Sequence, residues 1–139
     1  MKKLFLIGLT FIIIIQLFSA CKKANPDTGL IGRWELNSAT VISNGQLAYS
    51  YNYKKDSSYI YKFSSDNTYN LKYLNDTIEN GTYSIDSNKL YRHSLVNNIE
   101  KYGTVNFIIA NPILTLSDSG HDASGNYTET QIYTRLGAK

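Results

Sequence analysis

The chain has few of the residues that most often carry catalysis, metal binding or cross-linking. Its 139 residues include one cysteine and two histidines. A single cysteine excludes an internal disulfide, and a lone thiol with His93 and His121, far apart in sequence, does not supply the ligand spacing of a metal site. Paired carboxylates, a phosphate-binding loop and a dinucleotide fingerprint are also missing from the sequence. We therefore expect no enzyme activity, no metal and no cofactor.

Long apolar runs are missing too, apart from one at the amino end. A basic start, Met1-Lys2-Lys3, precedes the apolar residues 4–15, and residues 16–20 are more polar and end in small side chains. At about 1.5 Å per residue the apolar run covers roughly 18 Å, against about 30 Å for the hydrocarbon core of a bilayer. This order of parts predicts a signal peptide over residues 1–20, with an uncleaved membrane helix as the alternative.

The end of that signal, Ser19-Ala20-Cys21, resembles the lipobox of bacterial lipoproteins. The resemblance implies cleavage before Cys21 and acylation of both its thiol and its new amino group. Several acyl chains hold a protein at a membrane almost permanently. Lys22 in the next position is similar to lipoproteins delivered to the outer membrane, and we expect the domain to face the periplasm. Residues 21–29 are then the lipidated end and a flexible linker.

Charge and length bound the rest of the chain. The formal net charge of +3 includes Lys2 and Lys3, so the chain without its signal peptide is almost neutral. We therefore expect no nucleic-acid partner. Residues 30–136 have the size of one domain, whose stability must come from its own core or from a partner.

The residues after the linker favour strands throughout. Apolar and polar side chains alternate, as in Trp34 and Leu36 against Glu35 and Asn37, and Asn44-Gly45 is a strong hairpin signal. The predicted strands are 30–43, 49–53, 59–63, 68–74, 81–85, 89–96, 102–110, 113–117 and 127–136. This spacing predicts an all-β fold, an antiparallel up-and-down barrel of about 8–9 strands.

Gly32-Arg33-Trp34 in the first predicted strand, with Arg135 near the end of the last, resembles the lipocalin-like domains of bacterial lipoproteins. In that family the matching tryptophan plugs the closed end of the barrel, and a basic residue lies across its ring. The resemblance implies that Trp34 and Arg135 form this plug, and a cation over an indole contributes about 0.5 to 2 kcal/mol. The alternative is that Trp34 is the largest core residue of another β-fold.

Aromatic residues cluster in the second and third predicted strands. They form two same-face triplets, which we expect on neighbouring strands: Tyr49, Tyr51 and Tyr53, then Tyr59, Tyr61 and Phe63. Such a surface is suited to stacking on a sugar, to orienting an amphipathic ligand or to docking a partner. The alternative is ordinary cross-strand pairing of residues that favour strands.

Weaker signals lie in two predicted loops. In the loop 118–129, a calcium-loop register includes Asp118, Asp122, Asn126 and Glu129. Other positions lack the residues that such a loop requires, and no helices flank it. Ser119, His121 and Asp122 have the residue types of a catalytic triad, but no nucleophile elbow precedes them. We interpret this segment as a solvated hairpin loop.

The other loop, predicted over residues 75–80, contains Asp76-Thr77-Ile78. This triplet resembles the acceptor for O-glycosylation in some bacterial envelope proteins. The resemblance implies that Thr77 is a candidate glycosylation site.

Two functions are consistent with this sequence. The first is a membrane-anchored lipocalin-like lipoprotein that binds a small apolar or amphipathic ligand. The second is a structural or protein-interaction lipoprotein whose barrel is filled by its own side chains and docks onto an envelope partner. An eight-stranded barrel is near the size at which side chains fill it or leave room for one small ligand, so strand number does not distinguish them.

Overall fold

The computed structural model describes residues 29–53, 59–123 and 125–137. The predicted signal peptide and Cys21 lie outside these ranges. The described residues form nine strands, namely β1 (Gly32–Ser43), β2 (Gln46–Asn52), β3 (Tyr59–Phe63), β4 (Thr68–Tyr73), β5 (Asp76–Asp86), β6 (Lys89–Val96), β7 (Ile99–Ala110), β8 (Ile113–Asp122) and β9 (Gly125–Leu136). No helix of the described part is long and apolar enough to cross a membrane.

Eight of these strands close into an antiparallel barrel. Strands β3 to β8 each pair with the next strand along the chain, and β1 pairs with both β3 and β9. The β1–β9 pairing closes the cylinder and extends from Arg33 opposite Leu136 to Ser43 opposite Tyr127. The predicted all-β, up-and-down barrel is therefore confirmed.

Strand β2 is an additional strand outside this closed set. One edge of β1 pairs with β9, and the other edge pairs first with β3, at residues 32–35, and then with β2, at residues 38–43. Because β2 and β3 use the same edge of β1, they lie end to end. The prediction that the two aromatic triplets lie on neighbouring strands is therefore wrong.

Several predicted strand boundaries are also wrong, because the turns are shorter than expected. Strand β5 begins at Asp76 and β9 at Gly125, so the predicted loops 75–80 and 118–129 are mostly strand. Positive φ angles at Leu74 (56°) and at Asn97 and Asn98 (52° and 63°) turn the chain within a few residues. Such tight turns let polar sequences pair fully across a hairpin.

The core fills one end of the barrel. We call this the closed end; it contains the β3–β4, β5–β6 and β7–β8 turns and the start of β1. The largest fully buried side chains are Trp34, Tyr133, Phe63, Leu30, Leu90 and Leu114. Each such side chain contributes about 1.5–3 kcal/mol through removal from water, so this end carries much of the stability of the fold.

Candidate binding site

Trp34 lies at the closed end and is held by residues from both ends of the barrel sequence. Its indole N–H donates to the carbonyl of Leu30 over 2.7 Å. The Arg135 Cζ lies 4.7 Å from the centre of the Trp34 ring, and its guanidinium donates to the carbonyls of Gly29 and Ile31. These contacts join the segment before β1 to the last strand, and the role of the pair as a barrel plug stays a prediction.

The other half of the barrel, with the β1–β2, β4–β5, β6–β7 and β8–β9 turns, we call the open half. Three cavities lined by described residues lie there. Arg92 lines the first two, of about 170 and 90 Å³, and Gln131 lines the second and a third of about 160 Å³. Each is smaller than the ~300 Å³ at which pockets for drug-sized ligands begin. The second cavity adjoins the first at Arg92 and the third at Gln131.

Arg92 is a partly buried cation that lines two of these cavities. It lies on the inner face of β6, since the side chains two positions away, Leu90 and Ser94, are buried. Its guanidinium donates to the hydroxyl of Tyr61, whereas its Nε is buried and has no hydrogen-bond partner among the described residues. Burial lowers the pKa of Arg92, but Tyr61 and other nearby groups raise it by more. Arg92 is therefore a charged group with one unsatisfied donor.

Hydrogen-bond acceptors line the second cavity together with Arg92. The Tyr133 hydroxyl donates to the amide oxygen of Gln131 over 2.7 Å, and the Gln131 amide nitrogen donates to the Glu129 carboxylate over 2.8 Å. Asp118 on β8 lies directly opposite Glu129 and lines the second cavity with it. A chain of polar groups thus connects the third cavity to the second.

Three tyrosines of the barrel interior have raised pKa values. Burial is the main cause for Tyr61, Tyr69 and Tyr133. The Tyr69 hydroxyl also donates to the Glu79 carboxylate, which raises its pKa further. These phenols keep their protons at neutral pH; Tyr69 and Tyr133 donate to Glu79 and Gln131, whereas the Tyr61 hydroxyl accepts from Arg92.

We expect the free energy of unfolding to fall at alkaline pH. A phenol whose folded pKa lies above its unfolded value of about 10 binds its proton more tightly in the folded state. Its contribution is complete below pH 10 and is lost as the pH rises through the folded pKa. Urea unfolding should therefore give a constant midpoint up to about pH 9 and a falling one above about pH 10.

The variant Tyr133→Phe separates this effect from other alkaline titrations. Phenylalanine has no proton to lose, so this variant should lose less stability between neutral and alkaline pH than the wild type. Tyr91→Phe, on the exposed outer face of β6, is the matched control and should follow the wild-type profile. An identical alkaline loss in all three proteins would contradict the assignment.

Five tyrosines form a continuous row of ring contacts beside the third cavity, which we call the tyrosine row. Successive ring centres are 5.5 Å apart from Tyr49 to Tyr51, 6.3 Å to Tyr53, 5.9 Å to Tyr59 and 4.7 Å to Tyr73. Tyr53 and Tyr59 line the cavity itself, whereas Tyr49 and Tyr51 are 44% and 59% exposed. Tyr73, at the other end of the row, is 41% exposed, so both ends face solvent and the middle lines the cavity.

The predicted aromatic surface is therefore divided by the structure. Tyr61 and Phe63 are buried and belong to the core, although Tyr61 also lines the third cavity. Tyr51 lies opposite Ala39, which is buried, so the tyrosines of β2 share the inner face of the sheet. Tyr73, which the sequence did not single out, completes the row at the end of β4.

The weaker sequence signals do not converge. His121 Nδ1 lies 3.0 Å from Asn126 Oδ1 across the β8–β9 hairpin. His93 stacks on Tyr102, with ring centres 4.5 Å apart. No group of three or more His, Cys, Asp or Glu residues in the described part is placed to hold a metal ion. Thr77 is exposed on β5, opposite Lys72, rather than in a loop, and its glycosylation stays a prediction.

Sequence reasoning did not single out the most informative side chain, Arg92, or its neighbour Gln131. The alternation of side chains within β6 predicts that Arg92 faces the barrel interior, because Leu90 and Ser94 share its face. Gln131 likewise shares the inner face of β9 with Tyr133, two residues later. Both were overlooked because charged and amide side chains on a strand are ordinarily assigned to solvent.

The fold and these side chains define an antiparallel β-barrel with a packed closed end and three small, partly polar cavities in its open half. No family model matches the chain, and a search of curated proteins gives no match.

Proposed function

We propose that this chain is a non-catalytic binder of a small amphipathic ligand, held at the bacterial envelope by acyl chains on Cys21. The ligand site is the open half of the barrel. The observation that carries this proposal is the unsatisfied Nε of Arg92 beside the cavities. A buried donor without a partner costs about 1–3 kcal/mol, and a polar group of a ligand would remove that cost.

The third cavity supplies the apolar side of such a site. Leu36 and Leu71 line it together with four tyrosine rings. Gln131 connects this lining to the Glu129 carboxylate and to the cavity beside Arg92. One small molecule with an apolar face and a polar edge therefore matches the neighbouring surfaces, whereas a purely apolar ligand would leave the polar groups unmet.

The position of the amino end of the barrel is compatible with a membrane anchor. Gly29 accepts a hydrogen bond from Arg135 at the closed end, so the chain enters the barrel at the end opposite the cavities. Cys21 lies outside the described residues, and its acylation rests on the resemblance to the lipobox. An anchor on that side would leave the open half accessible.

One measurement tests both parts of this proposal. We expect native mass spectrometry of the mature protein, extracted from its own envelope in mild detergent, to give a chain mass that begins at an acylated Cys21. We also expect a second, non-covalent small mass on that chain. Arg92→Met should lose most of the non-covalent mass while it keeps the acyl groups, and Tyr91→Ala on the outer face should keep both.

Each part has its own contradicting result. A chain that lacks acyl groups would contradict the anchor, whatever it binds. A bare mature chain in the wild type, with a β-rich circular dichroism spectrum that shows it to be folded, would contradict the ligand site. Urea unfolding of Arg92→Met is the control, because it shows whether a loss of the non-covalent mass comes from unfolding of the variant.

A second candidate function is docking through β2. All seven residues of this strand are exposed, none is charged, and no described strand pairs with its second edge. Uncharged, unpaired edges are suited to pairing with an extended segment of another protein. A bare chain in a stable complex, which Ala48→Lys on this strand disrupts, would favour docking over ligand binding.

A further inference from the structure

The charge of the cavity lining argues against an anionic ligand. Two basic side chains, Arg92 and Lys101, line the first two cavities together with three carboxylates, Glu79, Asp118 and Glu129. The formal charge of the combined lining is therefore negative by one, as is that of the second cavity, whereas that of the first is positive by one. A fatty-acid carboxylate or a phosphate placed beside Arg92 would also approach these acidic groups, and like charges within a few ångströms repel each other.

The size of the cavities argues against a long acyl chain. The largest has a volume of about 170 Å³, and the cavities are divided by the side chains of Arg92 and Gln131 rather than forming one deep apolar tube. Their lining includes hydroxyl, amide and carboxylate groups, which an acyl chain would desolvate without replacing their hydrogen bonds. Compact rings with several polar substituents fit this space better.

The tyrosine row gives the positive part of the argument. Aromatic rings offer apolar faces, and each tyrosine adds a hydroxyl at its rim. Sugar rings have the complementary form, since one face presents C–H groups and the edge presents hydroxyls. Gln131 lines the same cavity as these rings, and Glu129 and the unpartnered Nε of Arg92 offer an acceptor and a donor in the adjoining one.

From these three observations we propose that the ligand is a neutral oligosaccharide. This inference rests on the proposed function and names the chemical class of its ligand. One terminal sugar ring enters the third cavity against Tyr53 and Tyr59, with its hydroxyls toward Gln131. The following rings leave the barrel along Tyr51 and Tyr49.

The ring geometry also restricts the shape of that oligosaccharide. Neighbouring rings of the row are inclined by 67° between Tyr49 and Tyr51 and by 35° between Tyr51 and Tyr53. The row is therefore a twisted path rather than a flat platform. Chains whose successive sugar rings turn relative to one another follow it better than flat, ribbon-like chains.

The test is saturation-transfer NMR with the full-length mature protein and defined probes. The neutral probes are malto-, cello- and chito-oligosaccharides of one to four units, and the anionic probes are laurate and glucuronate. We expect transfer to at least one neutral series, stronger for its trimer than for its monomer, and none to laurate or glucuronate. Curved malto-oligosaccharides should bind more tightly than flat cello-oligosaccharides.

Variants separate the cavity from the exposed part of the row. Tyr51→Ala should weaken binding of the trimer about 5- to 10-fold and leave the monomer unchanged, because one stacked aromatic contact is lost outside the cavity. Tyr59→Ala should weaken both. Tyr91→Ala, which removes a tyrosine from the outer wall, should weaken neither.

The outcomes distinguish this inference from the proposed function. Binding of laurate without binding of any sugar would overturn the carbohydrate class and leave the ligand site standing. A retained mass in the envelope-derived protein that is not a carbohydrate would do the same. A bare chain in that measurement would overturn the ligand site, and the carbohydrate class with it. Equal loss of monomer and trimer binding in Tyr51→Ala would overturn the path along the row.

Discussion

Replacing Trp34 with alanine is expected to lower the free energy of unfolding by about 3–5 kcal/mol. The side chain is fully buried, so the change removes its apolar contacts and leaves a cavity at the closed end. It also leaves the Leu30 carbonyl without the indole donor and removes the ring below the Arg135 guanidinium. A loss of this size is a large part of the 5–15 kcal/mol by which domains are stable.

The midpoint of urea unfolding, followed by circular dichroism, measures this loss. Trp34→Phe keeps much of the ring volume and should cost less than Trp34→Ala. Arg135→Met removes the cation over the ring, which contributes about 0.5–2 kcal/mol, together with its hydrogen bonds to the Gly29 and Ile31 carbonyls, and should still cost less than Trp34→Ala. Tyr91→Ala on the outer wall is the control and should be close to the wild type. A wild-type midpoint in Trp34→Ala would show that Trp34 is not the plug.

Gly81→Ala, which adds a single methyl group, is expected to lower the free energy of unfolding by about 3 kcal/mol or more. Gly81 lies on β5 opposite Ser94 of β6. A Cβ atom at this position would lie 2.0 Å from the carbonyl oxygen of His93 and 2.9 Å from the Cα of Ser94. These are backbone atoms, so the two strands would have to separate, and no side-chain rotation relieves the clash.

Gly103→Ala on the neighbouring strand β7 is the matched control. Its nearest neighbour would be the Arg92 Nη2 at 3.5 Å, an ordinary van der Waals distance. Alanine should therefore change the free energy of unfolding by less than about 1 kcal/mol there. Hydrogen exchange of the β5–β6 amides should increase in Gly81→Ala alone. Equal stabilities of the two variants would contradict the close approach of β5 and β6.

Alternation of side chains was sufficient to predict the class of fold. The strand that contains Trp34 and Leu36, and the hairpin turn at Asn44-Gly45, follow local rules that depend on few neighbours. Strands β3 and β6 have the bounds that the sequence predicts. The all-β barrel could therefore be derived from residues that act within one strand or one turn.

The open half depends on contacts between distant residues, which explains why the sequence did not reveal it. Arg92 and Tyr61 meet across the barrel although they are 31 positions apart. Strand β2 was expected beside β3 because the two are consecutive, but both pair with β1 instead. Tyr49 and Phe63 both belong to alternating aromatic patterns in the sequence. In the structure, however, Tyr49 is exposed and Phe63 is buried in the core.

The central claim is that the open half of the barrel holds a ligand beside Arg92. The most direct test is the ¹⁵N NMR signal of the Arg92 Nε–H group, assigned through its loss in Arg92→Met. It is compared in the protein as extracted from its envelope and in the same protein after unfolding, dialysis and refolding. We predict that removal of the ligand shifts this signal and accelerates its exchange with water, because the Nε donor loses its partner. The same chemical shift and exchange rate before and after that treatment would contradict the claim.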